Sequence, residues 1–293
     1  MVRLGGEPES GNFQDRTGQS GSGFGLGGGG GGLSLLLGLV GSRFGIVGIV
    51  ILLLGYCALT SLGGLGGGGG SGGSGSSAES KLDPNVRTFL VRMLGSTEET
   101  WGQLFAQSGA RYAPATLVAY TGGTQTQCGM GQAAMGPFYC PTDQSIYIDP
   151  AFFNELSQRF KAPGDFAIAY VIAHEVGHHI QNLEGTLDRA RQAQQGVGTT
   201  AGNQIQVGVE LQADCYAGVW AANARDAQGN ILEPGDIEEG MRAAEAIGDD
   251  TLQRQAQGTV VPESFTHGTS AQRMEALRRG MQSGNPAACN YAR

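Results

Sequence analysis

The chain falls into regions with different patterns of hydrophobic and polar positions. Phe44 to Leu62 is a run of nineteen residues without a charge, FGIVGIVILLLGYCALTSL. At about 1.5 Å per helical residue it is long enough to cross roughly 30 Å of hydrocarbon, so a transmembrane helix is predicted over 44–62. From residue 81 onward, apolar residues are spaced by polar ones. Pro84–Leu94 and Thr97–Gln107 read as two helical stretches, the second with Glu98 and Glu99 in its first turn. Runs at Thr116–Tyr120, Phe138–Cys140 and Ser145–Ile148 read as strands, and Pro141-Thr142-Asp143-Gln144 between the last two suggests a hairpin. From Asp165 the pattern is helical to the C-terminus. Strands first and helices after is an α+β arrangement.

Composition adds the domain boundaries. Of 52 glycines, 28 fall in the first 80 residues, a composition that buries too little apolar area to offset chain entropy. Residues 1–43 are therefore expected to be a disordered Gly-rich segment and 63–80 a flexible Gly/Ser linker, leaving 81–293 as the one domain with a core. Arg3, Arg16 and Arg43 precede the apolar run, and the next basic residue is Lys81. The positive-inside bias then places the N-terminus in the cytoplasm and the domain outside. The expectation is a single-pass protein of the inner (plasma) membrane, in contact with the lipid bilayer through 44–62, with an extracytoplasmic or periplasmic domain.

Charge and cysteine content narrow the function classes. The net charge is −8, with 22 acidic and 15 basic side chains in 81–293 and no basic stripe, which argues against nucleic-acid binding. Cys57 lies in the apolar run, whereas Cys128, Cys140, Cys215 and Cys289 form an even set in the domain. Two disulfides fit that count, with three possible pairings.

The chemistry centres on Asp165–Leu183, DFAIAYVIAHEVGHHIQNL. His174 and His178 are four residues apart, so they project about 40° apart on one helix face and can share one metal ion. Glu175 lies one step round, placed to take a proton from a metal-bound water. The apolar residues before them predict a buried helix, where two histidines and a glutamate need partners. Downstream, IQVGVELQADCYAGVWAAN puts Glu210 and Asp214 on one face. Glu210 is the candidate third ligand, and Asp214 can fix the tautomer of a ligand histidine. His179 lies about 140° from His174 and cannot join that face. His267, in FTHGTSAQR, is a candidate oxyanion donor, as are Tyr139 and Tyr147; Arg273 is read as pairing with an acidic neighbour.

HEVGHH followed by ELQADCYAG resembles the gluzincin arrangement of zincin peptidases, and more closely the bacterial putative neutral zinc metallopeptidase family. GNFQDRTG, GPFYCPTDQSIYIDPAFF and SFTHGTSAQR match that family as well. The resemblance implies a zincin-like domain, a small sheet plus active-site helices, which here would follow the transmembrane helix. It also implies one Zn2+ ion held by His174, His178 and Glu210, with Glu175 as catalytic base in peptide-bond hydrolysis. A peptide or protein substrate would pair with a sheet edge, for which Ser145–Ile148 is the candidate strand. The alternative is a non-catalytic zincin-fold binding or assembly module at the cell envelope.

Overall fold

Strand β1 (Phe13–Asp15) opens the fold, and helix α1 (Pro84–Gln107) follows it. The structure, a computed structural model, describes residues 2–19 and 80–292. Strands β2 (Thr116–Ala119), β3 (Gly123–Thr126), β4 (Gly129–Gln132), β5 (Phe138–Cys140) and β6 (Ser145–Ile148) come next, then helices α2 (Ala151–Gln158), α3 (Asp165–Leu183), α4 (Thr186–Gln195) and α5 (Thr199–Asn223). A short ribbon of β7 (Arg225–Asp226) and β8 (Gly229–Asn230) leads to α6 (Asp236–Ala246), α7 (Asp249–Gln257) and α8 (Ser270–Ser283). The result is a mixed fold of helices with small sheets.

The main sheet has the order β1-β2-β6-β5. β1, β2 and β6 are parallel, with Phe13 opposite Leu117 and Leu117 opposite Ile146, while β5 returns antiparallel to β6 through the expected hairpin. β6 is flanked on both edges and all four of its residues are buried, as the interior position of a sheet covered on both faces requires. β5 is an edge strand.

Two helices dominate the core. α3 buries Phe166, Ala169, Tyr170, Ile172, Val176 and Ile180, and its first turn is held by Glu239 of α6, which accepts from Phe166 N at 3.2 Å. α5 packs against α3 and α8. Its contact with α8 is backbone to backbone: a Cβ on Gly280 would sit 1.9 Å from the Cys215 carbonyl, and one on Gly218 2.2 Å from that of Leu277. Glycine at both positions lets the helices approach this closely.

Several expectations are corrected. The two helical stretches are one helix, α1, and Gly95 at its centre is a docking point, because a Cβ there would lie 2.0 Å from Pro8 O. The N-terminal residues 2–19 are part of the domain. Val2 and Leu4 are buried in the core, Ser10 N donates to Val91 O at 3.0 Å, and Ser10 and Asn12 both donate to Glu98. The motif GNFQDRTG supplies β1.

That packing overturns the single-pass topology. Residues on either side of the expected span share one sheet, whereas a single crossing would leave them on opposite faces of a bilayer. The span 44–62 and the linker up to residue 79 lie outside the described residues, and among the described residues no helix is long and apolar enough to cross a membrane. The inner-membrane, single-pass placement loses its basis accordingly, and the expected bilayer contact through 44–62 falls on residues outside the described ones.

Candidate metal centre

The site forms where α3 crosses α5. At the crossing point Gly177 faces Ala213, and a Cβ on Gly177 would lie 2.8 Å from Ala213 O and 2.9 Å from its Cα. A glycine in the middle of HEVGHH therefore sets the helix separation, and the separation brings the side chains together. Glu210 Oε2 lies 3.2 Å from His174 Nε2 and 3.6 Å from His178 Nε2. One ligand atom from each of the three residues falls within 4.8 Å of the others, a spacing that could hold a metal ion. His174 and Glu210 are 7% and 6% exposed, and Glu175 lines the same cleft.

Each member of the trio is oriented from behind. His174 Nδ1 lies 2.7 Å from Asp214 Oδ1, so its Nδ1–H donates to the carboxylate and Nε2 keeps its lone pair for the cleft. His178 Nδ1 lies 2.9 Å from Gln181 Oε1, with the same consequence for its tautomer. Gln181 donates in turn to Val209 O and Gln212 Oε1, and Gln212 donates to Cys289 O. Gln206 donates to Glu210 Oε1 at 3.0 Å, leaving Oε2 turned to the histidines.

Asp214 is fully buried and accepts four hydrogen bonds. Besides His174, Tyr170 OH donates at 2.6 Å, and Arg273 of α8 donates through Nε at 2.8 Å and Nη2 at 2.9 Å. Burial works against its charge, but Arg273 and His174 outweigh it and hold the carboxyl at about 2. Burial likewise disfavours a charged His174, yet Asp214 and Glu210 raise it to about 10. The surrounding carboxylates thus favour positive charge at the trio, whether a proton or a metal ion supplies it.

The other sequence candidates separate clearly. His267 lines the cleft, with Nδ1 3.3 Å from Asp249 Oδ1, while Asp249 Oδ2 accepts the backbone N–H groups of Thr266, His267 and Gly268. Tyr139 lines the cleft too, but its hydroxyl is bonded to His179 Nδ1 at 2.9 Å and accepts from Asn182. His179 donates from Nε2 to Ala113 O at 2.6 Å, and burial lowers its pKa; it holds α3 to the loop before β2. Tyr147 donates to Asp143 away from the cleft. The disulfides are Cys128–Cys140, which ties the β3–β4 ribbon to β5, and Cys215–Cys289, which fastens the C-terminal tail to α5. Sequence reading missed Tyr170, Gln181 and Gln206 as orienting groups. Each lies one helical turn from a ligand residue, a spacing that could have flagged them.

Two imidazoles and a carboxylate converging on one point, with a glutamate beside them in a cleft, define a candidate mononuclear metal centre of the kind zinc peptidases use. The chain belongs to the putative neutral zinc metallopeptidase family, whose model matches residues 2–292. It is similar to the uncharacterized protein YpfJ of Escherichia coli (strain K12), 45% identical over 289 residues, 99% of this chain and 98% of that one. It is also similar to the uncharacterized protein Rv2575 of Mycobacterium tuberculosis (strain ATCC 25618 / H37Rv), 44% identical over 180 residues, 58% of this chain and 60% of that one. No solved structure matches it.

Proposed function

We propose that the chain is a zinc-dependent endopeptidase in which Nε2 of His174, Nε2 of His178 and Oε2 of Glu210 hold one zinc ion. The observation that carries this reading is the paired tautomer control: both histidines give their Nδ1–H groups to partners behind them and turn Nε2 toward the Glu210 carboxylate. A His2Glu set suits zinc and leaves a coordination position for substrate or water. When bound there, zinc would polarise the scissile carbonyl and acidify a water. Glu175, one step round the helix, accepts the proton of the attacking water and returns it to the leaving amine. His267, which lines the cleft with Asp249 beside its Nδ1, donates to the oxyanion.

The strand expected to hold the substrate is corrected: Ser145–Ile148 is interior, paired with β2 and β5. β5 is an edge strand, and its Phe138 and Tyr139 line the cleft, so β5 is where an extended peptide would add. The cleft, about 560 Å³, is lined by Phe152, Val171, Leu187 and Gln194 as well as by the trio.

The test is digestion of an unbiased peptide library by the zinc-loaded protein and by Glu175→Gln. Cleavage by the wild type alone, with equal zinc content in both, is the expected result. Equal turnover in Glu175→Gln would rule out the assigned base, and zinc binding without cleavage in either would favour the non-catalytic module.

A further inference from the structure

We infer, resting on the metal reading above, that Gln212 and the Cys289 carbonyl are positioning groups for the metal. Through Gln181 they fix which ring nitrogen His178 offers, and the Cys215–Cys289 bridge holds them in place. The two histidines differ in what stands behind them. His174 is backed by the Asp214 carboxylate, which only accepts and so dictates an Nδ1–H by itself. His178 is backed by the side-chain amide of Gln181, 2.9 Å from Nδ1. An amide has an accepting end and a donating end. Turned over, Gln181 would present its N–H groups to His178, engage the Nδ1 lone pair and leave the ring proton on Nε2, the nitrogen that faces Glu210. The orientation of that amide therefore has to be set from elsewhere.

It is set by backbone carbonyls, which only accept. Gln181 is fully buried, and its Nε2 donates to Val209 O at 2.7 Å and to Gln212 Oε1 at 2.9 Å. Gln212 is an amide too, and its own orientation follows from Cys289 O, which accepts from Gln212 Nε2 at 2.9 Å. Turning either amide alone would set donor against donor or acceptor against acceptor where no water can compensate. The Cys289 carbonyl is thus the far anchor of His178, and the bridge fixes its position. Gly208, Gln212 and Cys215 follow one another along one face of α5. A Cβ on Gly208 would lie 2.7 Å from Tyr291 O, Gln212 holds the Cys289 carbonyl, and Cys215 holds the Cys289 sulfur. Within the segment after α8, Cys289 N donates to Pro286 O at 3.0 Å and Tyr291 N to Cys289 O at 3.1 Å. Both bridged residues are buried.

The experiment uses the full-length protein and two readouts: zinc affinity by competition with a metal indicator, and exchange with water of the His174 and His178 Nδ1 protons by imidazole NMR. Gln212→Leu, with the bridge intact, and the paired variant Cys215→Ala, Cys289→Ala should each bind zinc about 10–100-fold more weakly. Combining all three changes should add no more than about a further twofold, since they interrupt one path. In every variant the His178 Nδ1 proton should exchange at least about tenfold faster, while the His174 proton, held by Asp214, keeps its rate. A bridge that merely braced the fold would loosen both histidines together. Unaltered zinc affinity in either variant, effects that multiply in the combination, or equal acceleration at both histidines overturns the proposal. If the bridge-less protein does not fold, Gln212→Leu decides by the same two readouts: loss confined to His178 supports the path, and no loss overturns it. A wild type that binds no zinc would count against the metal reading alone, and the two Nδ1 protons, followed without metal, then decide the positioning role.

Discussion

Asp214 is the residue whose loss separates folding from metal binding. It takes four hydrogen bonds at 2.6–2.9 Å with no solvent exposure, two of them from a guanidinium that is itself buried. Asp214→Asn removes the charge that compensates Arg273 and puts an N–H donor against donors. Breaking a buried pair from one side costs about 3–5 kcal/mol, because an uncompensated charge stays behind. Arg273→Met breaks the same pair from the other side at a comparable cost. The double variant leaves no orphaned charge, so its penalty should fall short of the sum by roughly 1–3 kcal/mol. Zinc affinity should behave differently. Losing the carboxylate behind His174 should weaken binding by about 10–100-fold, and the double variant should not recover it, since Arg273→Met does nothing to restore the His174 tautomer. Urea unfolding of the four proteins in chelator gives the stability cycle, and competition with a metal indicator gives the affinities. Additive stability penalties, or affinity that returns along with stability, would refute the assigned roles.

Other consequences follow from single contacts. Gly177→Ala should push α3 from α5, costing about 1–3 kcal/mol and weakening metal binding together; an unchanged thermal midpoint and metal titration would contradict the close crossing. Asp249 is stabilised as a carboxylate: burial works against it, but His267 and the backbone N–H groups of His267 and Thr266 lower its pKa below 3.8. Its contribution is therefore complete above the unfolded value and lost as pH falls through the folded one. Acid titration of stability should consequently be flatter for Asp249→Asn than for wild type below about pH 4, and parallel curves would count against it. Gly95→Ala should dislodge residues 8–10 from α1, which hydrogen exchange would register as faster exchange at Ser10 N and along β1.

Much of the site was legible because its signals are local. His174, Glu175 and His178 lie within five residues, Glu210 and Asp214 within five more, and helical periodicity alone puts each set on a face. The helix bounds of α3 were readable from an acidic start and a glycine stop, and the β5–β6 hairpin from its turn residues. What was not readable depends on distant chain. Arg273 meets Asp214 across 59 positions, and only the Gly218–Gly280 approach of α5 and α8 makes that contact possible. β1 is three residues long and stable only as a parallel edge on β2, so its polar motif read as disordered tail. That error fed the topology: with β1 unrecognised, nothing opposed placing the two ends of the apolar run on opposite sides of a membrane. The choice of edge strand failed for a related reason, since strand order is a property of the whole sheet.

The account stands most directly on the metal itself. Anomalous diffraction at the zinc edge from crystals of the zinc-loaded protein should show one ion per chain, bound by His174 Nε2 and His178 Nε2 at about 2.0–2.1 Å and by a Glu210 oxygen, with a solvent molecule completing the shell. A fourth protein ligand in place of the solvent, or an ion bound away from these three residues, would contradict it.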